Sequence, residues 1–441
     1  MNKKVPQKVA IVGGGILGTS LAYLLAKKEF QVSIIEKAPN LGGLASGFNF
    51  SSGSLERYYH HFFKSDTNLQ QLLVELGLKD AIIWHQSKMG MYTNNKLYSF
   101  SQALDILNFP LLSVFDRLRL GLVSLYLQKK KPDKSYNSIT ALDWCNKYYG
   151  NKVTAIIWEP LLRSKFESYY DKVAMDWFHI RIHDRSSSRQ FPWADEKLGY
   201  IRGGFQSLIN KLEEKLHDLD VKVYKEAEIT SYAPIKDKHL LKFKTHNELI
   251  TQNFDIVIST IAPLGFIKIF NPPTKYARKL KELDFLGAYC FVVALKQPLS
   301  KFYWTSINDP KAPFVALVEH TNLLGKEGFA DNSIVYLGKY TQKDSKLYKA
   351  AEEELWSSCF EYLKSIFPYL TKEMIIEKRL FKSPEAQHIV TKGFKVLSYE
   401  TGRKGLFFSH FAQIHPHDRG TNYAIAQAYD LFNLITKKKW S

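Results

Sequence analysis

Cysteine is scarce in this chain: three residues in 441, Cys145, Cys290 and Cys359, odd in number and far apart. That excludes a disulfide framework and points to reducing, cytoplasmic surroundings. No C-x-x-C or His/Cys cluster is present. The pair His415-x-His417 has no evident third ligand, so no metal site is expected. No apolar run reaches the length that spans a bilayer. No separate apolar segment follows Lys3 and Lys4 before the first strand, which argues against a secretory signal. Internal repeats and low-complexity tracts are also missing. Acidic residues are in deficit, 43 against 61 Lys and Arg, for a net charge of +18. The basic residues are spread along the chain and match no nucleic-acid motif, so nucleic acid is not the expected partner. Anionic substrates, anionic lipid headgroups or a solvated lysine-rich surface remain. Apolar residues make up 45% of the chain, enough to fill a large core in one or two domains.

The stretch KVAIVGGGILGTSLAYLLAKKEFQVSIIEKAPNLGG, beginning at Lys8, carries the most information. Val9 to Val12 reads as a short strand. Gly13, Gly15 and Gly18 follow in G-x-G-x-x-G spacing, and Ile16, Leu17, Leu21, Leu24 and Leu25 recur with helical period. Val32 to Ile35 reads as a second strand with Glu36 at its end. Gly13 permits the turn, Gly15 lets backbone approach a pyrophosphate, and Gly18 lets helix pack on strand. The helix N-terminus directs free N–H groups at phosphate. Glu36 is placed to accept from ribose hydroxyls. A glycine turn that binds nothing is the bland alternative. The strand before, the helix after and the acid beyond favour a dinucleotide.

Gly42 and Gly43 lie just past Glu36, a pair that lets the next loop pass close to the ligand. An NAD dehydrogenase has no such requirement. Gly13, Gly15, Gly18, Glu36, Gly42 and Gly43 together resemble the amino-terminal signature of the FAD-dependent amine oxidase superfamily. That superfamily includes monoamine oxidases, protoporphyrinogen oxidase, phytoene desaturases and UDP-galactopyranose mutase. The resemblance implies FAD as cofactor, with Lys37 and Leu44 in the same contact set. Many members carry Arg where this chain has Leu44, a departure that points away from the amine oxidases proper.

Further pieces of the resemblance recur in order. Residues 199–216 look like the glycine-rich entry into a second cofactor-domain helix, with Leu208, Leu212 and Leu216 on one face. Ile229 matches a position that binds adenine through its backbone in relatives. Thr260 and Pro263 match a D-x-V-I-x-T-x-P stretch. Near the carboxy terminus, Gly420, Thr421 and Asn422 match the turn that opens a helix toward the pyrimidine end of the flavin. The strand before it ends in Ser409-His410 where many relatives have Gly-Asp or Gly-Glu. The implied fold class is α/β: a Rossmann-type FAD-binding domain with an inserted α+β substrate domain. Residues 1–85, 199–265 and 373–441 are expected to form the discontinuous FAD-binding domain, and 86–198 and 266–372 the substrate domain.

Four stretches could carry chemistry. ERYYHHFFKSD places His60 and His61 among four aromatics. In a flavin fold this loop returns toward the ring, and the mutases have a comparable stretch. Either histidine could tune the flavin or move protons; an aromatic core patch is the bland reading. HPHDRGTN adds Asp418 and Arg419, either an ion pair that shapes the loop or, through Arg419, a contact to an anionic substrate group. Arg163, Lys165, Arg181 and Arg185 could recognise phosphate or carboxylate, though each alone reads first as surface charge. Residues 103–131 form an apolar stripe, Leu111, Leu112, Phe115, Leu118, Leu122 and Leu125, flanked by Arg117, Arg119 and Lys129 to Lys131. It reads either as a helix buried in the substrate domain or as a peripheral contact to an anionic, inner membrane face.

Three functions follow in order. The first is an FAD-dependent oxidoreductase of protoporphyrinogen oxidase or desaturase type, taking hydride from a small-molecule substrate, anionic or lipid-linked. The second is a non-redox sugar mutase like UDP-galactopyranose mutase. The third is a non-enzymatic binding protein of GDP-dissociation-inhibitor type.

Overall fold

The computed structural model describes residues 6–50, 53–187, 196–246 and 248–438; Lys3 and Lys4, on which the reading of the amino terminus rested, lie outside them. Five parallel strands form the first sheet, in the order Leu406–Phe408, Ile256–Ser259, Lys8–Val12, Gln31–Ile35 and Lys222–Tyr224. These strands are continuous apolar runs because both faces of the sheet are covered. Val9, Ile11, Val32, Ile34, Ile256 and Ile258 face one layer. It is built by the helices Ile16–Ala26, Phe205–Asp218 and Thr421–Lys437. Leu208, Leu212 and Leu216 are fully buried there, as their spacing predicts. The alternating residues Ala10, Val12, Ile35 and Val257 face the opposite layer. That layer contains the antiparallel sheet Glu228–Ile235, Lys238–Lys244 and Leu249–Phe254. The fold is α/β of Rossmann type, as expected.

The second unit is a seven-stranded sheet that adjoins the first. Its order is Ile375–His388, Phe285–Leu295, Ser333–Thr341, Ala316–Glu319, Trp304–Ile307, Met89–Thr93 and Lys96–Ser99. All its pairs are antiparallel except Trp304–Ile307 with Met89–Thr93. The helix Glu352–Ile366 covers one face, and the aromatic loop containing Tyr58 and Tyr59 packs on the other. A helical group that includes Val114–Lys129, Ala141–Tyr148, Glu159–Phe166 and Met175–Ser187 has its own core around Trp144, Tyr149, Phe166 and Trp177.

Two expected borders differ from the packing. The helices Pro263–Phe270 and Thr274–Lys281 were expected to begin the second substrate segment at 266. Their Phe266, Phe270, Tyr276 and Leu280 instead fill the core behind the parallel sheet. Conversely, Ile375–His388 was expected with the cofactor domain, yet it pairs along the buried strand Phe285–Leu295. The sequence motifs marked the ligand-facing turns; strand pairing decides where the layers divide.

Candidate functional site: a glycine turn opening into a charged aromatic chamber

The turn between Lys8–Val12 and Ile16–Ala26 is built on backbone proximity. Gly13 has φ +109 and its amide donates to the Ile35 carbonyl at 2.9 Å. A Cβ on Gly18 would overlap the Gly13 carbonyl oxygen, and one on Gly13 would overlap Thr260 Oγ1. Thr260 Oγ1 donates toward the Val12 and Gly13 carbonyls at 3.2 and 3.1 Å, so Thr260 braces the turn. Gly42, at φ +102, donates its amide to the Gly14 carbonyl at 2.8 Å. This bond brings Gly43 so close that its Cβ would lie 3.2 Å from Gly15 Cα. Gly15 differs from all of these: a Cβ there would meet nothing within 4 Å. No side chain caps the helix that starts at Ile16. The open space over Gly15, faced by uncapped helix N–H groups, fits a pyrophosphate.

Glu36 closes this end. Its carboxylate accepts from the amides of Gly14 at 2.5 Å and Ala38 at 2.7 Å. The backbone next to Glu36 is that of Ala227, whose amide donates to the Glu36 carbonyl at 2.9 Å. Ile229, the position expected at adenine, lies two residues further on, where it pairs with Phe243 and packs into the apolar layer. Ala227 thus lies nearer to Glu36 along the backbone than Ile229 does. Lys37 also departs from expectation: its ammonium meets Glu228 at 2.7 Å on the open surface.

Gly43 leads to Leu44, and Leu44 lines a cavity of about 300 Å³ between the two sheets. Residues 58–63 form one wall and Gly420 to Tyr423 another. The helix Thr421–Lys437 starts there with no side-chain cap at Gly420. Asn422 contributes its backbone alone, because its side-chain oxygen accepts from the Leu69 amide at 3.1 Å. Ser409 continues the parallel ladder through Ser259, and His410 turns inward, accepting from the Ala412 amide at 3.4 Å.

His60 and His61 both reach the cavity. His60 Nδ1 lies 2.6 Å from the Tyr58 carbonyl, an oxygen that can only accept, so Nδ1 carries the proton and Nε2 a free lone pair. Burial pushes His60 down to about 4, and His61, 2.9 Å from the Tyr303 hydroxyl, to about 4 as well. Both rings are neutral at pH 7.

The charged wall is assembled from distant segments. Asp418 receives Lys165 at 2.8 Å and also Arg181. Burial opposes its ionisation, and these two cations outweigh burial, holding the carboxyl below its usual range. Arg419 does not pair with Asp418 through its guanidinium. That group donates to the Tyr340 hydroxyl at 2.7 Å, while the Arg419 amide donates to Asp418 at 3.1 Å. Burial works to raise the Tyr340 phenol, but Arg419 and Lys165 bring it below its usual range. Arg185 is held bidentately by Glu196, with both distances 2.9 Å. Lys165, Arg181 and Arg185 are thus cavity groups rather than surface charge. Arg163 alone of that set stays outside, paired with Glu159 at 2.7 Å. His415 and His417 part company: His415 meets Asp176 at 2.8 Å and His417 meets Asp184 at 2.7 Å. Among the described residues no group of three or more His, Cys, Asp or Glu has the spacing of a metal site.

Several cavity residues escaped the sequence reading. Tyr340 ends the strand Ser333–Thr341, and Asp184 lies on Met175–Ser187. Trp304 packs edge-on against Tyr59 at 4.9 Å. None belongs to a local motif; they meet only through sheet pairing.

The flavin containing amine oxidoreductase family matches residues 18–406, and the chain belongs to that family. Its cofactor is FAD, and the turn and chamber just described fit it. Over 249 residues the chain is 24% identical to a carotenoid phi-ring synthase of Chlorobaculum tepidum, covering 50% of this chain and 37% of that protein. Over 218 residues it is 25% identical to a coproporphyrinogen III oxidase of Staphylococcus aureus, covering 46% and 44%. Both matches thus span less than half of the relative's length. A solved structure of reduced UDP-galactopyranose mutase shares the fold, with a TM-score of 0.72 at 13% identity over 98% of this chain and 94% of that one. Membership of a flavin family sets aside the flavin-free binding protein.

Proposed function

We propose that this protein is an FAD-dependent oxidoreductase that removes hydride from a C–H or C–N bond of an unsaturated organic anion. When bound, FAD supplies the hydride acceptor, and the protein supplies position and field. We assign the pyrophosphate to Gly13, Gly15, Gly18, Gly42 and Gly43, the ribose to Glu36, and the ring end to Leu44 and the backbone of Gly420, Thr421 and Asn422. The charge of the chamber is the observation that carries the substrate class. Its lining holds Lys165, Arg181, Arg185, Lys339 and Arg419 against Asp66, Asp184 and Asp418. Glu196, which holds Arg185, brings the acids to four, and the five cations still outnumber them, which disfavours a cationic amine and favours a carboxylate.

The residues divide the work. Tyr58, Tyr59 and Trp304 offer flat apolar faces for a conjugated body. Arg419, fixed by Tyr340, offers its charge to the substrate anion. His60 Nε2, neutral and unprotonated, can accept a proton released from a neighbouring atom, and it cannot act as an imidazolium acid at pH 7. The support from relatives lies in their names: a carotenoid ring synthase and a coproporphyrinogen oxidase, neither of them an amine oxidase.

The same basic wall suits the phosphates of a nucleotide sugar, which keeps a mutase as the second reading. One experiment separates them: the absorption spectrum after FAD loading, then anaerobic reduction and readmission of air. Bleaching that recovers quickly in air, or with an added acceptor together with substrate, supports the oxidoreductase. Turnover of a nucleotide sugar by the reduced protein with no net redox change would replace it by the mutase. A protein that retains no flavin would sink both.

A further inference from the structure

The segment 103–131 folds as two helices, Ala103–Leu107 and Val114–Lys129, and the apolar stripe divides: Leu111 and Leu112 pack into the helical core, while Phe115, Leu118, Leu122 and Leu125 turn outward. Within the longer helix only Leu120 and Leu127 are buried. Phe115 is 85% exposed, and Leu118, Leu122 and Leu125 share its face at helical spacing. Eight of the eighteen large hydrophobic side chains exposed among the described residues lie between Leu104 and Tyr126. Scattered exposed leucines need no explanation, but a concentration on one surface does.

This surface is rigid and polarised. Arg117 donates to the carbonyls of Leu112 and Leu107, and Arg119 to those of Tyr148 and Lys147. The two arginines therefore pin the helix instead of flanking the stripe with free charge. The free charge lies at the carboxy-terminal end, where Lys129, Lys131 and Lys134 are exposed. Lys130 is engaged with Asp133 at 3.1 Å. The inner side of the helix rests on Met175–Ser187, where His179 bonds to the Leu127 and Lys130 carbonyls at 3.0 and 3.2 Å. That same supporting helix carries Arg181, Asp184 and Arg185 into the cavity. Met175–Ser187 thus lies between the helix that bears the exposed apolar face and the chamber.

We propose that this face docks the protein on an anionic lipid bilayer. Phe115, Leu118 and Leu122 enter the boundary between headgroups and acyl chains, and Lys129, Lys131 and Lys134 rest on anionic headgroups. The docking is peripheral: among the described residues no helix is long and apolar enough to cross a membrane. A bilayer fits better than a protein groove because the apolar side chains run outward in a row and Lys129, Lys131 and Lys134 beside them meet no acidic partner among the described residues. The net charge of +18 adds long-range attraction of the same sign.

The test is flotation of the full-length FAD-loaded protein with two vesicle types: equal parts phosphatidylglycerol and phosphatidylcholine, or phosphatidylcholine alone. The protein is expected to float with the mixed vesicles and about tenfold less with the neutral ones, with salt weakening the first. The double substitution Phe115→Ser with Leu122→Ser should lower mixed-vesicle binding about tenfold or more while the bound flavin spectrum stays unchanged. Lys129→Gln with Lys131→Gln should lower binding to the mixed vesicles alone and flatten its salt dependence. Wild-type protein left at the bottom of both gradients would overturn the proposal. So would a dimer dissolved by the Phe115 and Leu122 substitutions, with no vesicle binding, because a second copy would then be the occupant. Flotation reads no turnover, so it can fail while the redox assignment stands.

Discussion

The two ends of the site are made by different means. The glycine turn occupies one βαβ unit, from Lys8 to Gly43, and its geometry is set by what cannot fit. Side chains on Gly13, Gly18 and Gly42 would overlap Thr260, the Gly13 carbonyl and Ile209. The chamber draws on chain as far apart as Lys165, Arg181, Tyr340 and Arg419, and its geometry is set by charges that satisfy one another. A steric site whose glycines all lie in one supersecondary unit leaves a spacing pattern in sequence, even where Thr260 and Ile209 press on it from elsewhere. An electrostatic site closed by long-range pairing leaves residue types without a pattern. The same contrast predicts how each end should fail.

The largest effect is expected at Gly18. Gly18→Ala forces a methyl into the Gly13 carbonyl, and overpacking of this kind costs about 3 kcal/mol or more. Urea melts should show that loss, together with loss of bound flavin. Gly15→Ala is the sharpening control, because a Cβ there meets only open space. It should leave the melt unchanged and weaken FAD by at least roughly tenfold, since backbone must approach the pyrophosphate closely. Equal destabilisation by both alanines would break the distinction between a packing glycine and a ligand-facing one.

Next comes Asp418→Asn. It removes the one acid shared by Lys165 and Arg181, side chains that are 13% and 25% exposed. Leaving those cations uncompensated should cost about 3 kcal/mol. Because Arg419 is held by Tyr340, flavin retention should survive while turnover falls. A variant as stable as wild type would mean that solvent already screens the cluster.

Acid should act on the chamber and its surroundings before the turn. His60 and His61 are held near 4, and His320, His388 and His410 near 3, all by burial, against about 6.5 in an unfolded chain. Above pH 6.5 these histidines are neutral in both states and contribute nothing to pH dependence. As pH falls below 6.5 the unfolded chain takes up protons that the folded one refuses, so stability falls by up to about 1.4 kcal/mol per pH unit for each. Asp66 and Glu319, held up near 6 and 7 mainly by burial, act the other way, as do Glu56 and Glu385, which burial also raises, but the histidines lowered by burial outnumber these acids once His179 and His239 join the five. Melting temperature should therefore drop steeply between pH about 6 and about 4. A flat profile there would show the rings to be solvated.

How much could be read beforehand follows from the same contrast. The glycine turn was legible because Gly13, Gly18, Gly42 and Gly43 each have a local steric duty. The parallel sheet was legible because strands buried on both faces read as unbroken apolar runs. Tyr340 was not, because a tyrosine at a strand end says nothing about the arginine it will meet. Asp418 and Arg419, adjacent in sequence, invited pairing with each other, yet Lys165 and Arg181 from the helical group hold Asp418 in place of Arg419. The borders at 266 and 373 were misplaced for a related reason. Helix Thr274–Lys281 and strand Ile375–His388 carry ordinary amphipathic patterns that do not say which sheet they will join.

The smallest expected effect tests the limit of motif reasoning. Lys37 follows Glu36 directly, and the family resemblance placed it among the cofactor contacts. The structure turns its ammonium to Glu228 across the surface, with the two side chains 76% and 66% exposed. An ion pair so open to water adds little, since solvent and salt screen it and both side chains give up freedom to form it. Lys37→Ala should leave the melt, the flavin spectrum and FAD affinity unchanged. The reason is geometric: both residues lie just past the strand Gln31–Ile35, where the Glu36 carboxylate folds back to the Gly14 and Ala38 amides while Lys37 reaches outward to Glu228. A clear loss of FAD affinity in this variant would mean that Lys37 leaves Glu228 when the nucleotide binds.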